Sequence, residues 1–286
     1  MGISNNAIIV IHWMKTNQLL QTGDAVAELG AQQISNDLIE DHTYLDNLSK
    51  LFKVRPFSET FDWKISEKKF LDGGLQHLPG DAPFAKKLYE HLGLKYTCID
   101  FDNSPHSIRL DLNYDSVPKN HKGKYALVTN LGTTEHAANQ LNAFKIIHEL
   151  TALNGIMLHT LPFQGFSAHG FMGYSMQFFW MLCKSNLYNV IDVNLLYYDS
   201  YPIPANIIRF AKENSSIFVE KDHIEKLMLR DVGLVIVLQK KHDIDFVPPI
   251  DVANGTKTND SVMKQRYWTV FDLNLLDRYL SRGKNK

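Results

Sequence analysis

Apolar positions fall along the chain in two kinds of run. Tyr125 to Leu131 (YALVTNL), Gly155 to Phe163 (GIMLHTLPF), Asn189 to Tyr198 and Val232 to Lys241 are nearly continuous, as strands covered on both faces are. Ala25 to Ala31 (AVAELGA), Tyr96 to Phe101 (YTCIDF) and Ser107 to Leu112 (SIRLDL) are shorter runs of the same kind. Other stretches keep a helical period. After the fourth run, Ala137, Leu141, Phe144, Ile147 and Leu150 recur at three- and four-residue steps. Phe84 to Gly93 (FAKKLYEHLG) is a helix with Gly93 in a C-capping position, and Ser175 to Asn186 is another. Pro204 stands near the first turn of a helix running to Asn214. Strands alternating with helices predict an α/β fold, a doubly wound, Rossmann-like sheet of seven strands.

The ends and one interval depart from this rhythm. Ser4 to Gln21 reads as a helix, with Ile8, Ile11, His12 and Leu19 giving it a partly apolar face. Residues 1–24 form this N-terminal element, 25–243 the Rossmann-like domain, and 244–286 a C-terminal loop and cap element ending in a basic tail. Between the first and second strands, about residues 33–83 exceed any ordinary crossover and read as an inserted helical cap.

Composition adds exclusions. Of 286 residues, 44% are hydrophobic and 21% charged, which argues against wholesale disorder. Thirty basic side chains against 31 acidic ones leave a net charge of -1, so no basic excess recommends nucleic acid as a partner. Cys98 and Cys183 each lie in an apolar segment and read as reduced core thiols. The apolar stretch AIIVIHWM is too short to span a membrane, and Asn6 stands where a myristoylation signal wants Ser or Thr. A cytoplasmic protein is expected; an oligomer is possible but not readable.

Polar chemistry collects at strand ends, where open α/β sheets bind ligands. The first run ends in Glu28, Gly30, Ala31 and Gln32, with glycine where a backbone can approach a ligand. The second ends in Asp100 and Phe101, and an acid there suits a ribose diol as well as it suits a helix cap. Asp111 and Leu112 follow the third, and Asp111 is equally an acceptor for an adenine amine or a turn-former. The fourth passes Asn130 and Leu131 into Glu135 and His136.

The succession E-x-G, D-x-D, D-L-N, E-H, from about Ala25 to Lys241, resembles the class I S-adenosylmethionine-dependent methyltransferases. The stretches VTNLGTTEHAANQLNAFKIIHEL and HTLPFQGFSAHGFMGYSMQFFW look like a bacterial subgroup acting on small molecules or sugars. The resemblance implies S-adenosylmethionine as cofactor and a small-molecule methyl acceptor. Glu28, Gly30, Ala31 and Gln32 would form the first cofactor loop, and Asp100 with Phe101 would hold the ribose. Asp111 with Leu112 would hold adenine, and Asn130, Leu131 and Glu135 would line the methionine end. Two departures stand out: Ala31 and Gln32 replace the usual further glycine, and the first crossover is about twice the familiar length.

Methyl transfer needs alignment and, for a hydroxyl acceptor, a base. His169, in the glycine-flanked SAHGFMGY, is the first candidate for the acceptor side, with His136 and Tyr174 beside it. For each histidine a plain structural role is the stronger reading, loop orientation for His136 and a hydrogen-bonded core place for His159, while His12 and His148 read as helix-face residues. The histidine separations offer no short ligand pair, so no metal is expected. Aromatics in YSMQFFWML, and Arg266 to Trp268, read as packing first and as pocket walls second. The alternative function is a catalytically silent, methyltransferase-like binding or regulatory module. A nicotinamide enzyme would need G-x-G-x-x-G, which ELGAQQIS does not supply.

Overall fold

The computed structural model describes residues 2–61, 68–71, 74–77, 84–102, 107–166, 169–197, 231–253 and 255–283. The predicted helix after Pro204 and the end of the basic tail lie outside them. Nine strands are described: β1 (Ala25–Leu29), β2 (Lys68–Leu71), β3 (Gly74–His77), β4 (Lys95–Asp100), β5 (Ser107–Arg109), β6 (Tyr125–Leu131), β7 (Thr151–Gln164), β8 (Tyr188–Tyr197) and β9 (Val232–Lys240). Seven of them form one sheet in the order β5-β4-β1-β6-β7-β9-β8. Neighbours from β5 to β7 are parallel, and β9 runs antiparallel to both β7 and β8. The chain winds outward from β1 through β4 to β5, then crosses to β6 on the other side. That reversal opens a crevice at the carboxyl ends of β1 and β6. The main sheet is thus doubly wound and seven-stranded, as the sequence led us to expect, with its last strand inserted antiparallel between β7 and β8.

Helices cover both faces. On one lie α1 (Asn5–Thr16), α2 (Asn36–Glu40), α3 (Thr43–Phe52), α4 (Phe57–Thr60) and α5 (Ala85–His91). Ile8, Ile11 and Met14 of α1, Leu45 and Leu48 of α3 and Leu88 of α5 share a core with Val26, Leu127 and Val235 of the sheet. On the other lie α6 (Gln140–Leu150) and α7 (Met176–Asn186), where Phe144, Ile147, Phe179 and Leu182 pack on Ala27, Val128 and Ile236. Each fully buried aliphatic side chain contributes roughly 1.5–3 kcal/mol, and these two layers hold most of them. Every residue of β9 is buried, as its unalternating run GLVIVL requires.

Local chemistry sets the boundaries. Asn139 and Ser175 cap α6 and α7, their side chains accepting from the backbone N–H of Asn142 and Phe178. Gly93 follows α5 with φ +72°, as its capping role predicts, and a Cβ there would meet Thr22 Cγ2 at 2.7 Å. The first helix ends at Thr16 rather than Gln21, because Gln18 turns left-handed at φ +60°. In the long interval, α2 to α4 are buried with α1 in the core of one sheet face. The interval also holds the antiparallel pair β2 and β3; the Asp72-Gly73 dipeptide between them is a hairpin signal that a purely helical expectation passes over. The C-terminal segment folds as α8 (Ser261–Arg266), α9 (Trp268–Phe271) and α10 (Leu273–Gly283). Thr269 Oγ1 donates to Ser185 O at 2.7 Å, so this segment packs at the end of α7. Both cysteines are free and buried.

Two helix-face assignments change. His148 is buried, its Nδ1 2.6 Å from Tyr188 Oη and its Nε2 2.7 Å from Ile244 O, and burial pulls its pKa down to about 4. Leu141 is exposed instead, because α6 turns Ala143, Phe144 and Ile147 inward. Among the described residues, no helix is long and apolar enough to cross a membrane.

Candidate active site

A cavity of about 460 Å³ opens at the carboxyl edge of the sheet. Ile99, Asp100 and Phe101 wall it from the end of β4, Leu110 to Asn113 from beyond β5, and Gly132, Thr133, His136 and Ala137 from beyond β6. Its volume lies in the range of small-molecule sites, with apolar walls and a few convergent polar groups. Asp100, Phe101, Asp111, Leu112 and His136 are thus brought together in one cavity.

The Asp100 carboxylate closes the first loop from above. Its Oδ2 accepts from Ala31 N at 3.0 Å and its Oδ1 from Phe101 N at 2.8 Å. A carboxylate oxygen has two acceptor positions, so each keeps one for a ligand hydroxyl. Asp111 Oδ1 accepts from Asn113 N at 2.8 Å, so Asp111 forms the turn while also walling the cavity.

Gly30, at φ +71°, is required where it stands: a Cβ would lie 2.9 Å from Thr133 Oγ1 and 3.2 Å from Gln32 Nε2. The space above it is filled by the protein's own side chains. Thr133 Oγ1 donates to Leu29 O at 2.6 Å, and Gln32 Nε2 bridges Leu29 O at 3.2 Å and Thr133 Oγ1 at 3.1 Å. Beneath the loop, Glu28 is fully buried; its Oε2 accepts from Tyr96 Oη at 2.7 Å and Gln32 N at 3.1 Å. Burial pushes its pKa up to about 8, against those two hydrogen bonds, so the carboxyl is neutral at pH 7. Glu28 supports the loop from within and does not reach the cavity.

Asn130 and Leu131 are buried too, and neither lines the cavity. Side chains alternate along β6, so Val128 and Asn130 point to the α6–α7 layer and Leu127 and Leu131 to the α1 layer. Asn130 Nδ2 donates to Thr134 Oγ1 at 2.8 Å and lies 3.2 Å from His159 Nδ1. His159 is held neutral, its pKa lowered by burial to about 3. Thr134 N donates to Asn130 Oδ1 at 3.2 Å, and Tyr174 Oη sits 2.9 Å from Thr134 Oγ1 and 2.6 Å from Gln140 Oε1. Tyr174 is therefore a brace within the protein, its hydroxyl engaged on both sides.

This network fixes a short 3₁₀ turn, Thr134–His136, whose last two residues are the titratable ones. A second loop is pinned to the same turn, since Phe171 N donates to Glu135 O at 2.7 Å. Gly170, at φ +73°, lets that loop close, because a Cβ would lie 2.8 Å from Glu135 Cγ. The result places His169 Nε2 at 3.4 Å and His136 Nε2 at 4.0 Å from Glu135 Oε1. Both histidine side chains are about half exposed, while Glu135 is fully buried. Desolvation lowers the His136 pKa, partly offset by Glu135. Sequence reading missed Gly132 and Ala137 as walls, although both flank the TTEH turn.

No protein-family model and no curated protein matches the chain. Solved structures do. An S-adenosylmethionine-dependent methyltransferase from Archaeoglobus fulgidus is 10% identical, covering 83% of this chain and 95% of that one, with a TM-score of 0.38. The 1,6-didemethyltoxoflavin N1-methyltransferase of Burkholderia thailandensis, solved with that substrate and S-adenosylhomocysteine, is 9% identical over 84% of this chain and 80% of its own, at a TM-score of 0.39. A phosphoethanolamine N-methyltransferase of Haemonchus contortus is 10% identical over 84% of this chain and 58% of its own, at a TM-score of 0.38.

Proposed function

We propose that this protein transfers the methyl group of S-adenosylmethionine to a small-molecule acceptor. The observation that carries the proposal is the cavity at the reversal of a doubly wound sheet, with Asp100 and Asp111 in its walls. Asp100 takes the ribose hydroxyls on the acceptor positions its two backbone contacts leave open. Ile99, Leu110 and Leu112 offer apolar walls to adenine, Asp111 accepts from its amine, and the exposed Phe101 ring stands at the mouth. Gly132 and Thr133 meet the methionine end, beside Gly30. When bound, the cofactor supplies an electrophilic methyl carbon whose bond to sulfur breaks as the bond to the acceptor forms. Glu135, His136 and His169 then stand on the acceptor side, where they position the nucleophile.

One observation favours a second reading, a silent binding module: Gln32 and Thr133 fill the space above Gly30 that the methionine moiety needs. Calorimetry with S-adenosylmethionine, its demethylated product and NAD separates the two. Binding of the first two without the third is expected, with Asp100→Ala weakening it at least about 100-fold, as loss of a charge-assisted pair to a ligand does. A silent module binds none of them. Unchanged affinity in the Asp100 variant would refute the ribose assignment.

A further inference from the structure

Glu135 is chemically unfinished. Its side chain is fully buried, yet neither carboxylate oxygen accepts a hydrogen bond, and His169 Nε2 facing it is buried without one as well. A charged group taken out of water with nothing to bond costs several kcal/mol. The separations explain what the group awaits. At 3.4 Å, Glu135 Oε1 and His169 Nε2 stand too far apart for a charge-assisted hydrogen bond, about 2.7–2.9 Å long. Ligands held about 2.0–2.1 Å from a tetrahedral ion are about 3.3 Å from one another. His136 Nε2 lies 4.0 Å from the same oxygen, and the ligand atoms of all three residues fall within 4.8 Å of one another.

We propose that Glu135, His136 and His169 bind a divalent transition-metal cation, zinc in the first place. Two imidazoles and one carboxylate are a borderline-soft set suited to zinc, and ill-suited to magnesium or calcium, which prefer oxygen alone. The expectation of no metal rested on spacing along the chain, but the ligands come from two loops. Those loops are joined at one residue, since Phe171 N and Met172 N both donate to Glu135 O, at 2.7 and 3.3 Å. Asn130, Thr134 and Tyr174 hold the turn beneath, so the backbone that carries Glu135 and His136 is fixed from within the protein. Three protein ligands leave a fourth position, and His136 also walls the cavity, which puts that position on the ligand side.

What the cation does there rests on the methyl-transfer reading. It holds an acceptor hydroxyl, whose proton passes to solvent as its pKa falls on coordination. The oxygen then bonds the methyl carbon, and the carbon–sulfur electron pair returns to sulfur. The acceptor class is accordingly an alcohol or phenol.

The test starts from full-length protein stripped with a chelator. Zinc alone is titrated by calorimetry, and cobalt alone is followed by its visible absorption. One equivalent is expected to bind tightly and raise the melting temperature. Glu135→Gln and His169→Gln should each weaken binding at least about 100-fold, and Asp100→Ala should leave it unchanged. If Glu135→Gln fails to fold, the half-exposed His169→Gln carries the test alone. Absence of stoichiometric uptake, or uptake unaltered by the His169 variant, overturns the proposal; the pair is then a plain Glu–His contact. Zinc uptake without adenosylmethionine binding would refute methyl transfer and leave the metal site standing, and the reverse result would do the opposite.

Discussion

Thr133 and Glu135 are two residues apart in one turn, and their polar atoms are treated oppositely. Thr133 Oγ1 donates to Leu29 O and accepts from Gln32 Nε2, so the two side chains over Gly30 answer each other. The Glu135 carboxylate has no hydrogen-bond partner and faces two imidazoles. Thr133 is half-buried and Glu135 fully buried, so the group with less access to water is the one left without a hydrogen bond. On the Thr133 side, side-chain polarity is used to shape a loop. On the Glu135 side it is left over, and buried polarity left over is where a fold invests stability in binding.

Gly170→Ala attacks the open side most directly. At φ +73°, and with a Cβ 2.8 Å from Glu135 Cγ, alanine combines left-handed strain with a clash. A stability loss of about 2–4 kcal/mol is expected by denaturant unfolding. Because the clash pushes on Glu135, zinc affinity should fall as well. A variant as stable as the parent would show that the two loops are not packed as described.

A smaller effect probes the ground beneath the closed side. Glu28 has a folded pKa of about 8 against 4.5 when free. Between those values the unfolded chain has lost a proton that the folded one keeps, so stability falls as pH rises from about 4.5 to about 8 and is lowest above that. Glu28→Gln carries no such dependence and can keep the acceptor for Tyr96 and Gln32. Its melting temperature should therefore gain on the parent's as pH increases through that window, by up to a few kcal/mol of stability. Parallel curves for the two proteins would mean that Glu28 is ionised in the fold. His148 and His159, held neutral with pKa values near 4 and 3, give both proteins the opposite slope below about pH 6.5.

The least effect is expected at Gln32. Gln32→Ala removes the bridge over Gly30 and frees space for the methionine end, so affinity for S-adenosylmethionine should rise by roughly three- to tenfold, about 1 kcal/mol. Weaker binding in that variant would mean that the glutamine is a ligand contact and not a plug.

Much of the fold was legible in the chain. The seven apolar runs became the seven strands of the main sheet, YALVTNL to the residue, because a strand buried on both faces leaves an uninterrupted mark. Asp100 and Asp111 were readable as cavity residues for a related reason: an acid just past a buried strand has left the sheet and can face a crevice. Asn130 was misplaced because it is still inside its strand, where alternation turns it toward His159 and away from the opening. Gln32 was visible as a departure from the expected glycine, but its rotation onto Leu29 and Thr133 was not.

From sequence alone came the succession of strands and helices and the residue types waiting at their ends, since both follow from local periodicity. The meeting of Glu135 with His169, 34 positions later, followed from nothing local. It needed the sheet to bring two loops together, the polar network under Thr134 to hold one of them, and a glycine at position 170 to let the other close. Distance along the chain says little about distance in space once a strand and its crossover lie between, so only the tertiary structure decided which polar groups remain unanswered.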